Sequence, residues 1–378
     1  MNAATAEEDL ARMRDALGLA RRGLGTTWPN PSVGCVIARD GATLGRGATQ
    51  PGGRPHAEQV ALAQARARYG AEALRGATAW VSLEPCAHHG RTPPCADALA
   101  KSGIARVVST VEDPDPRVRG RGFAALRAAG VAVETGICAD EARRLNEGFL
   151  LRLAEGRPHA TLKLAASLDG RIAHETGESR WITGPQARAR VHLMRARADA
   201  VLIGAGAARE DDPMLDVRLP GLEGRRPVRV VADGGLSLSL MSRLARSAGD
   251  APLWLLHRPG VDPARRAALA GLGARPVEIA AARSGEIDMA AALTFLGGEG
   301  LTRLICEGGG RIAAALLRAG LVDEIAWFSA GVAIGSEGLP AVAHLALPDL
   351  AAAPRFALDR VETLGEDVLS LWRPRTEA

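Results

Sequence analysis

Leu83-Glu84-Pro85-Cys86-Ala87-His88-His89-Gly90-Arg91-Thr92-Pro93-Pro94-Cys95, preceded by His56-Ala57-Glu58, is the part of this sequence that decides its fold. One imidazole and two thiolates make a ligand set for Zn²⁺ and leave the fourth tetrahedral position to water. Residues 57–69 are rich in Ala and Leu and read as a helix, which puts His56 at its start. Cys95 stands just before a second helix at 96–101, where a thiolate is favoured by the helix dipole. Glu58, two residues beyond the histidine, is free to face the open coordination position without being a ligand. A carboxylate there moves a proton from an activated water to a leaving amine. The pattern H-x-E followed by two Pro-Cys pairs is that of zinc deaminases, except that eight residues separate these cysteines where two are usual. A closed structural site remains the alternative, with His88 or His89 as the fourth ligand.

Working outward, short apolar runs alternate with helical patterns. Strands are expected at 33–38, 77–83, 105–110 and 131–134, with a turn at Asp40-Gly41 and a helix at 124–129. Thr5-Ala-Glu-Glu8 reads as a capping box for a first helix that ends near Gly23. Leu153-Ala-Glu-Gly-Arg-Pro158 breaks the pattern, so a boundary is expected there, giving domains 1–153 and 158–378. The alternation restarts with strands at 161–166, 200–204, 228–232, 253–257, 303–306 and 324–328, and helices at 185–195 and 312–319. This is an α/β layer pattern in each half.

Length and composition agree with two domains. The 378 residues exceed what one hydrophobic core serves, and 47% hydrophobic with 24% charged residues is ordinary for a soluble chain. Aromatics at 3% argue against a base-stacking platform, and a net charge of +4 suits small phosphate-bearing substrates, so no nucleic-acid partner is expected. Residues 1–14 alternate acids and bases with no apolar stretch, and no run reaches the ~18 apolar residues of a membrane span. Five scattered cysteines point to a reducing cytoplasm, with Cys35, Cys138 and Cys306 expected as small buried hydrophobes.

Trp28-Pro-Asn-Pro-Ser-Val-Gly34, His56-Ala-Glu58 and the 83–95 segment resemble the deaminase half of the bifunctional deaminase/reductase family of riboflavin biosynthesis, whose own motif carries the long insert between the cysteines. Glu112-Asp-Pro-Asp-Pro116 and Gly120-Arg-Gly122 add to the likeness. In the second half, Leu162-Lys-Leu-Ala-Ala-Ser-Leu-Asp-Gly-Arg171, Gly177-Glu-Ser-Arg-Trp-Ile-Thr183, Asp211-Asp-Pro-Met-Leu-Asp-Val-Arg218, Glu307-Gly-Gly-Gly310 and Gly320-Leu-Val-Asp-Glu324 resemble the reductase half. The resemblance implies a cytidine-deaminase-like three-layer domain followed by a dihydrofolate-reductase-like α/β domain. It implies one zinc on His56, Cys86 and Cys95 with Glu58 as the proton carrier, and substrate contacts from Asn30, His88 and Arg91. It implies NADPH at Ala165, Trp181, Ala207, Asp211, Gly309, Gly310, Arg311, Ile312, Ala313, Ala314 and Ala315. Lys163, Ser179, Arg195, Leu215, Arg218 and Glu307 would meet a phosphoribosyl-pyrimidine, and the family is commonly oligomeric.

Read without the family, Gly308-Gly-Gly310 between a strand and a helix is either a pyrophosphate cradle or a tight turn, and Trp181 either a cofactor wall or a core aromatic. Asn30, between two prolines, is otherwise a turn residue. Gly204-Ala-Gly206 is a near miss for a Rossmann fingerprint, and Asp212-Pro213 argues against the helix that motif requires. The chain departs from the family at Thr49, where a histidine is frequent, at Ala207 for a threonine, and at Gly331 and Gly335-Ser336 for a proline and a glycine pair. A deaminase with an impaired reductase is therefore an alternative. A polynucleotide-editing deaminase is opposed by the scarce aromatics, and a non-catalytic zinc regulator by Glu58, which a structural site does not need.

Overall fold

Along β1 (Gly34–Arg39), Cys35 and Ile37 enter one hydrophobic cluster while Val36 and Ala38 enter another. Successive strand residues point to opposite faces, so both faces of this strand are covered. The computed structural model describes residues 3–88 and 93–375, and the chain divides between Gly156 and Arg157 into two compact units.

In the first unit β2 (Ala42–Ala48), β3 (Thr78–Val81), β4 (Arg106–Ser109) and β5 (Ala132–Glu134) join β1 in one sheet, in the order β2-β1-β3-β4-β5. The first three strands pair antiparallel and β3, β4 and β5 run parallel. On one face α1 (Ala3–Gly23) packs through Met13, Ala16, Leu17 and Ala20, beside Ala142 and Leu145 of α5 (Ala139–Glu155). On the other lie α2 (Ala57–Tyr69), α3 (Cys95–Lys101) and α4 (Arg121–Ala128), contributing Ala61, Leu62, Ala65, Leu99 and Leu126. This gives the expected three layers. The approach of α2 is unusually close. A Cβ at Gly47 would stand 2.1 Å from the Ala57 carbonyl oxygen, and one at Gly45 2.2 Å from that of Ala61. Glycine at both positions thus lets the start of α2 rest on strand backbone.

A buried charge cluster fastens α1 to this sheet. Asp9 is fully buried and accepts from Trp80 Nε1 at 2.8 Å and from both terminal nitrogens of Arg106, at 2.8 and 2.5 Å. Arg106 Nε donates to Glu134 on β5 at 2.8 Å, so a single guanidinium links helix and two parallel strands.

The second unit has nine strands in one sheet: β6 (His159–Ala166), β8 (Ala200–Gly204), β9 (Val228–Ala232), β10 (Leu253–His257), β11 (Arg275–Glu278), β12 (Arg303–Cys306), β13 (Glu324–Ser329), β15 (Phe356–Leu364) and β16 (Asp367–Pro374), with β7 (Arg171–Ala173) and β14 (Leu339–Pro340) paired apart. The order is β11-β10-β9-β8-β12-β6-β13-β16-β15. The run from β11 to β13 is parallel, and β16 and β15 are added antiparallel. Every residue of β8, β9 and β10 is buried, as parallel strands covered on both faces require. The helices are α6 (Pro185–Arg197), α7 (Ala205–Asp211), α8 (Arg243–Arg246), α9 (Pro263–Gly271), α10 (Met289–Gly298) and α11 (Gly310–Arg318). No helix among the described residues is long and apolar enough to cross a membrane.

Three sequence readings are corrected, and one helix carries no clear signal in the sequence. The first helix is under way at Ala3, so Thr5 lies inside it and is not its cap. A helix does follow Gly204: α7 completes about two turns before Asp212, at φ 39°, ends it, so Pro213 stops that helix without preventing it. Cys138 is only partly buried and precedes α5 with a φ of 55°, unlike Cys35 and Cys306, which are fully buried. The seventeen residues of α5 give little periodic signal in the sequence, because its apolar stripe of Ala142, Leu145 and Phe149 is thin and set among charges.

Removing the Asp9 carboxylate takes away two of the three hydrogen bonds of the half-buried Arg106 guanidinium and the partner of Trp80 Nε1, and leaves only Glu134 to hold it, a loss of about 1–3 kcal/mol. The Asp9→Ala variant should therefore unfold its first unit at markedly lower urea, read by the Trp80 environment in near-ultraviolet circular dichroism, with the second unit unchanged.

Candidate active sites of the two units

His56 occupies the N-terminal cap of α2, Cys86 follows β3 by a short turn and Cys95 is the first residue of α3. The three ligand atoms lie within 4.8 Å of one another. His56 Nδ1 is 3.6 Å from Cys86 Sγ and 3.4 Å from Cys95 Sγ, and the Cys95 amide donates to Cys86 Sγ at 3.3 Å. The hydrogen bond from Cys95 is the main reason the Cys86 thiol is pulled down to about 4, whereas the same contact and burial push Cys95 up. One nitrogen and two sulfurs at this spacing fit Zn²⁺. Glu58 is buried, and burial together with Cys86 raises its carboxyl to about 7. His88 is not part of the cluster: its buried Nδ1 has no hydrogen-bond partner. His89 and Arg91 lie outside the described residues. The described residues thus supply three ligands.

Asn30 donates from Nδ2 to the Gly53 carbonyl at 2.9 Å, joining the loop before β1 to the segment entering α2. The same loop is fixed by Asn146 of α5, which bonds both the amide and the carbonyl of Ser32, at 2.9 and 3.1 Å. Thr49 is buried and accepts the Val33 amide at 3.0 Å, so it serves that loop.

Glu84 is a site residue that the sequence reading missed. Its buried carboxylate accepts four main-chain amides, those of Asp113, Gly120, Gly122 and Phe123, at 2.8 to 3.3 Å. It pins the 112–123 loop against the turn that carries Cys86. Within that loop burial raises the Asp113 carboxyl to about 6, and Arg117 holds Asp115 below the usual carboxylate range, with a smaller contribution from His88.

In the second unit the carboxyl ends of β8, β12 and β6 lie side by side, the edge at which open parallel sheets bind ligands. Lys163 on β6 is pushed down by burial while Glu307 and Asp211 oppose that shift, and Arg195 adds to it, so these four groups share one neighbourhood. Arg195 grips Glu307 with Nε at 2.5 Å and Nη2 at 2.9 Å and gives Nη1 to the Asp216 carbonyl at 3.0 Å. Its fork is therefore engaged within the protein. Arg218, by contrast, is 62% exposed and only 3.6 Å from its nearest carboxylate, Asp216. Leu215 is buried with φ 55° and turns the chain ahead of these residues.

Gly309 caps α11, and a Cβ there would meet nothing within 4 Å, while one at Gly310 would stand 2.8 Å from the Pro340 carbonyl oxygen. This open, side-chain-free helix start fits a pyrophosphate. Arg311, Ile312, Ala313, Ala314 and Ala315 continue that helix, Ala165 lies on β6 and Ala207 in α7. Trp181 is no core aromatic: it is 69% exposed, and the Arg188 guanidinium stands 4.5 Å from its ring centre. It lines a pocket with Thr183, Gly331, Val332 and Asp367. Ser179 and Arg180 precede it, and Arg180 bonds the Asp211 carbonyl at 3.1 Å.

Replacing Glu84 by Ala should free the 112–123 loop and loosen Cys86. Glu84 bonds no ligand directly but sits two residues before Cys86, so zinc retained after dialysis against a chelator should fall below that of the unaltered protein.

Comparison with known proteins agrees with this geometry. Residues 158–370 match the model of the RibD C-terminal domain, and residues 6–111 that of the cytidine and deoxycytidylate deaminase zinc-binding region. The riboflavin biosynthesis protein RibD of Escherichia coli is 40% identical over 96% of this chain and 98% of its own. That of Aquifex aeolicus is 37% identical over 97% and 99%. Among solved structures, Acinetobacter baumannii RibD superposes with a TM-score of 0.86 at 37% identity, covering 98% of this chain and 99% of that one. A diaminohydroxyphosphoribosylaminopyrimidine deaminase/5-amino-6-(5-phosphoribosylamino)uracil reductase from Thermotoga maritima gives 0.84 at 34% identity, covering 97% and 99%.

Proposed function

The chain belongs to the RibD family of bifunctional riboflavin-biosynthesis deaminase/reductases, and from that premise we propose how its own residues divide the two reactions. The first unit deaminates 2,5-diamino-6-(5-phosphoribosylamino)pyrimidin-4-one. The second reduces the ribosyl chain of the resulting 5-amino-6-(5-phosphoribosylamino)uracil to ribityl. The observation that carries the reading is the convergence of His56, Cys86 and Cys95 within 4.8 Å beside the buried Glu58.

His56, Cys86 and Cys95 would hold a zinc ion, which when bound supplies Lewis acidity at the position the protein leaves to solvent and substrate. Glu58 carries the proton from the attacking water to the departing amine. Its burial keeps bulk water from competing for that proton. Asn30 and His88, with Arg91, orient the pyrimidine and its phosphoribosyl arm.

In the second unit, the α11 start from Gly309 to Ala315, with Ala165, Trp181, Ala207 and Asp211, would hold NADPH, which supplies the hydride. Arg218 faces solvent with its guanidinium and takes the substrate phosphate, since a guanidinium binds phosphate through paired donors. Arg195 locks Glu307 in place, and Lys163 beside them offers a proton near the reacting ribosyl carbon. Ser179 and Leu215 complete the substrate wall.

Glu58→Gln should lower ammonia release from the diaminopyrimidinone by about 10²–10⁴-fold. Zinc content and NADPH oxidation on the already deaminated substrate should stay intact. Loss of both activities, or neither, would contradict this division. Ammonia release without NADPH oxidation in the unaltered protein would favour a deaminase with an impaired reductase.

A further inference from the structure

His192 was not among the residues the sequence singled out, yet it lies on α6 one turn before Arg195 and touches Arg218. The inference drawn from it rests on the reductase reading above. The ring's Nδ1 is 3.2 Å from the Asp216 carbonyl oxygen, and its Nε2 is 3.4 Å from Arg218 Nη2. A carbonyl only accepts and a guanidinium only donates. Together the two contacts favour the neutral tautomer with its proton on Nδ1, given to the Asp216 carbonyl, and its lone pair on Nε2, facing Arg218. The Arg218 amide also points its N–H at Nδ1, at 3.3 Å, a contact that the other neutral tautomer would accept; two of the three neighbours, the carbonyl and the guanidinium, favour the proton on Nδ1.

We propose that His192 is a positioning residue whose neutral ring aims the Arg218 guanidinium at the anionic group of the substrate, and that protonation of the ring releases it. The charged groups around the ring favour this arrangement. Arg195 on the same helix has all three of its nitrogen positions engaged by Glu307 and Asp216, so of the two guanidiniums near the ring it is Arg218, 62% exposed and 3.6 Å from the Asp216 carboxylate, that is open to a ligand. Burial first, and then Arg195 and Arg218, hold the His192 pKa below the ordinary histidine range, while the Asp216 carbonyl and carboxylate oppose this in part. Glu307, beyond β12, is the other carboxylate that senses the ring. The sign follows: the ring is neutral at neutral pH and takes up its proton only as the solution becomes acidic. It then turns an N–H toward a guanidinium that needs an acceptor.

The test uses the full-length protein and ribose 5-phosphate as the probe, with affinity measured by calorimetry at neutral and mildly acidic pH beside KM and kcat for NADPH-dependent reduction. His192→Ala should weaken ribose 5-phosphate about tenfold, the scale of one hydrogen bond to a charged group, with the loss falling on KM rather than kcat. His192→Gln can still donate to Asp216 and accept from Arg218 but cannot titrate. It should keep the neutral-pH affinity and weaken less in acid than the unaltered protein. The phosphate's own titration affects both proteins alike, so their difference is the readout. Unchanged affinity in a folded His192→Ala protein overturns the proposal. So does a His192→Gln profile that weakens with acid as the unaltered one does, and so does an unaltered protein that fails to bind the probe at neutral pH. If His192→Ala does not fold, the His192→Gln profile still decides. An unaltered protein that binds the probe but oxidises no NADPH would remove the reductase assignment and leave the binding measurements to judge His192.

Discussion

Parallel strands cannot be joined by a tight turn; the chain must leave the carboxyl end of one and return through a crossover, usually a helix. This constraint shapes both units. In the first, the exit from β3 carries Glu84 and Cys86, and the crossover that returns to β4 begins with Cys95 at the start of α3. In the second, the exits from β8 and β12 lead into α7 and α11, and β6 lies beside β12. Each crossover turns its free helix amides toward the same edge. Chemistry that needs thiolates or phosphates held by positive dipoles finds its place there without further machinery.

What the sequence revealed follows from how local each signal is. His56, Cys86 and Cys95 were legible because few residue types bind zinc and each stood at a predicted helix start or strand exit. The parallel strands β8, β9 and β10 were legible as unbroken apolar runs. Glu84 was not, because its meaning lies in amides about thirty residues further on that fold back only in three dimensions. Asp216 and His192 were hidden for the same reason: a main-chain carbonyl and a ring on another element give no pattern in the chain. The C-terminal hairpin of β15 and β16 escaped notice because β15 is an edge strand, largely exposed, with charges among its apolar residues.

Charge is handled differently in the two units. Around Asp9 and Arg106 opposite charges are buried and matched, which makes them fasteners. Around Glu307 the two arginines differ: Arg195 is held by Glu307 inside the protein, whereas Arg218 is exposed and stands 3.6 Å from the Asp216 carboxylate. On the proposed reading, a substrate phosphate would meet the exposed Arg218, while the donors of Arg195 stay committed to Glu307 and the Asp216 carbonyl.

The tie between Asn146 and Ser32 has a consequence in time as well as in space. The two residues are separated by 114 positions, so a nascent chain exposes His56, Cys86 and Cys95 to the cell well before α5 leaves the ribosome. Domains fold as units during synthesis, and this one is complete only when its last helix returns to secure the loop that bears Asn30. Metal capture therefore has an opportunity to precede the fixing of the loop before β1. A gene split just before α5 would yield a fragment with His56, Cys86 and Cys95 in its sequence and an unsecured loop before β1.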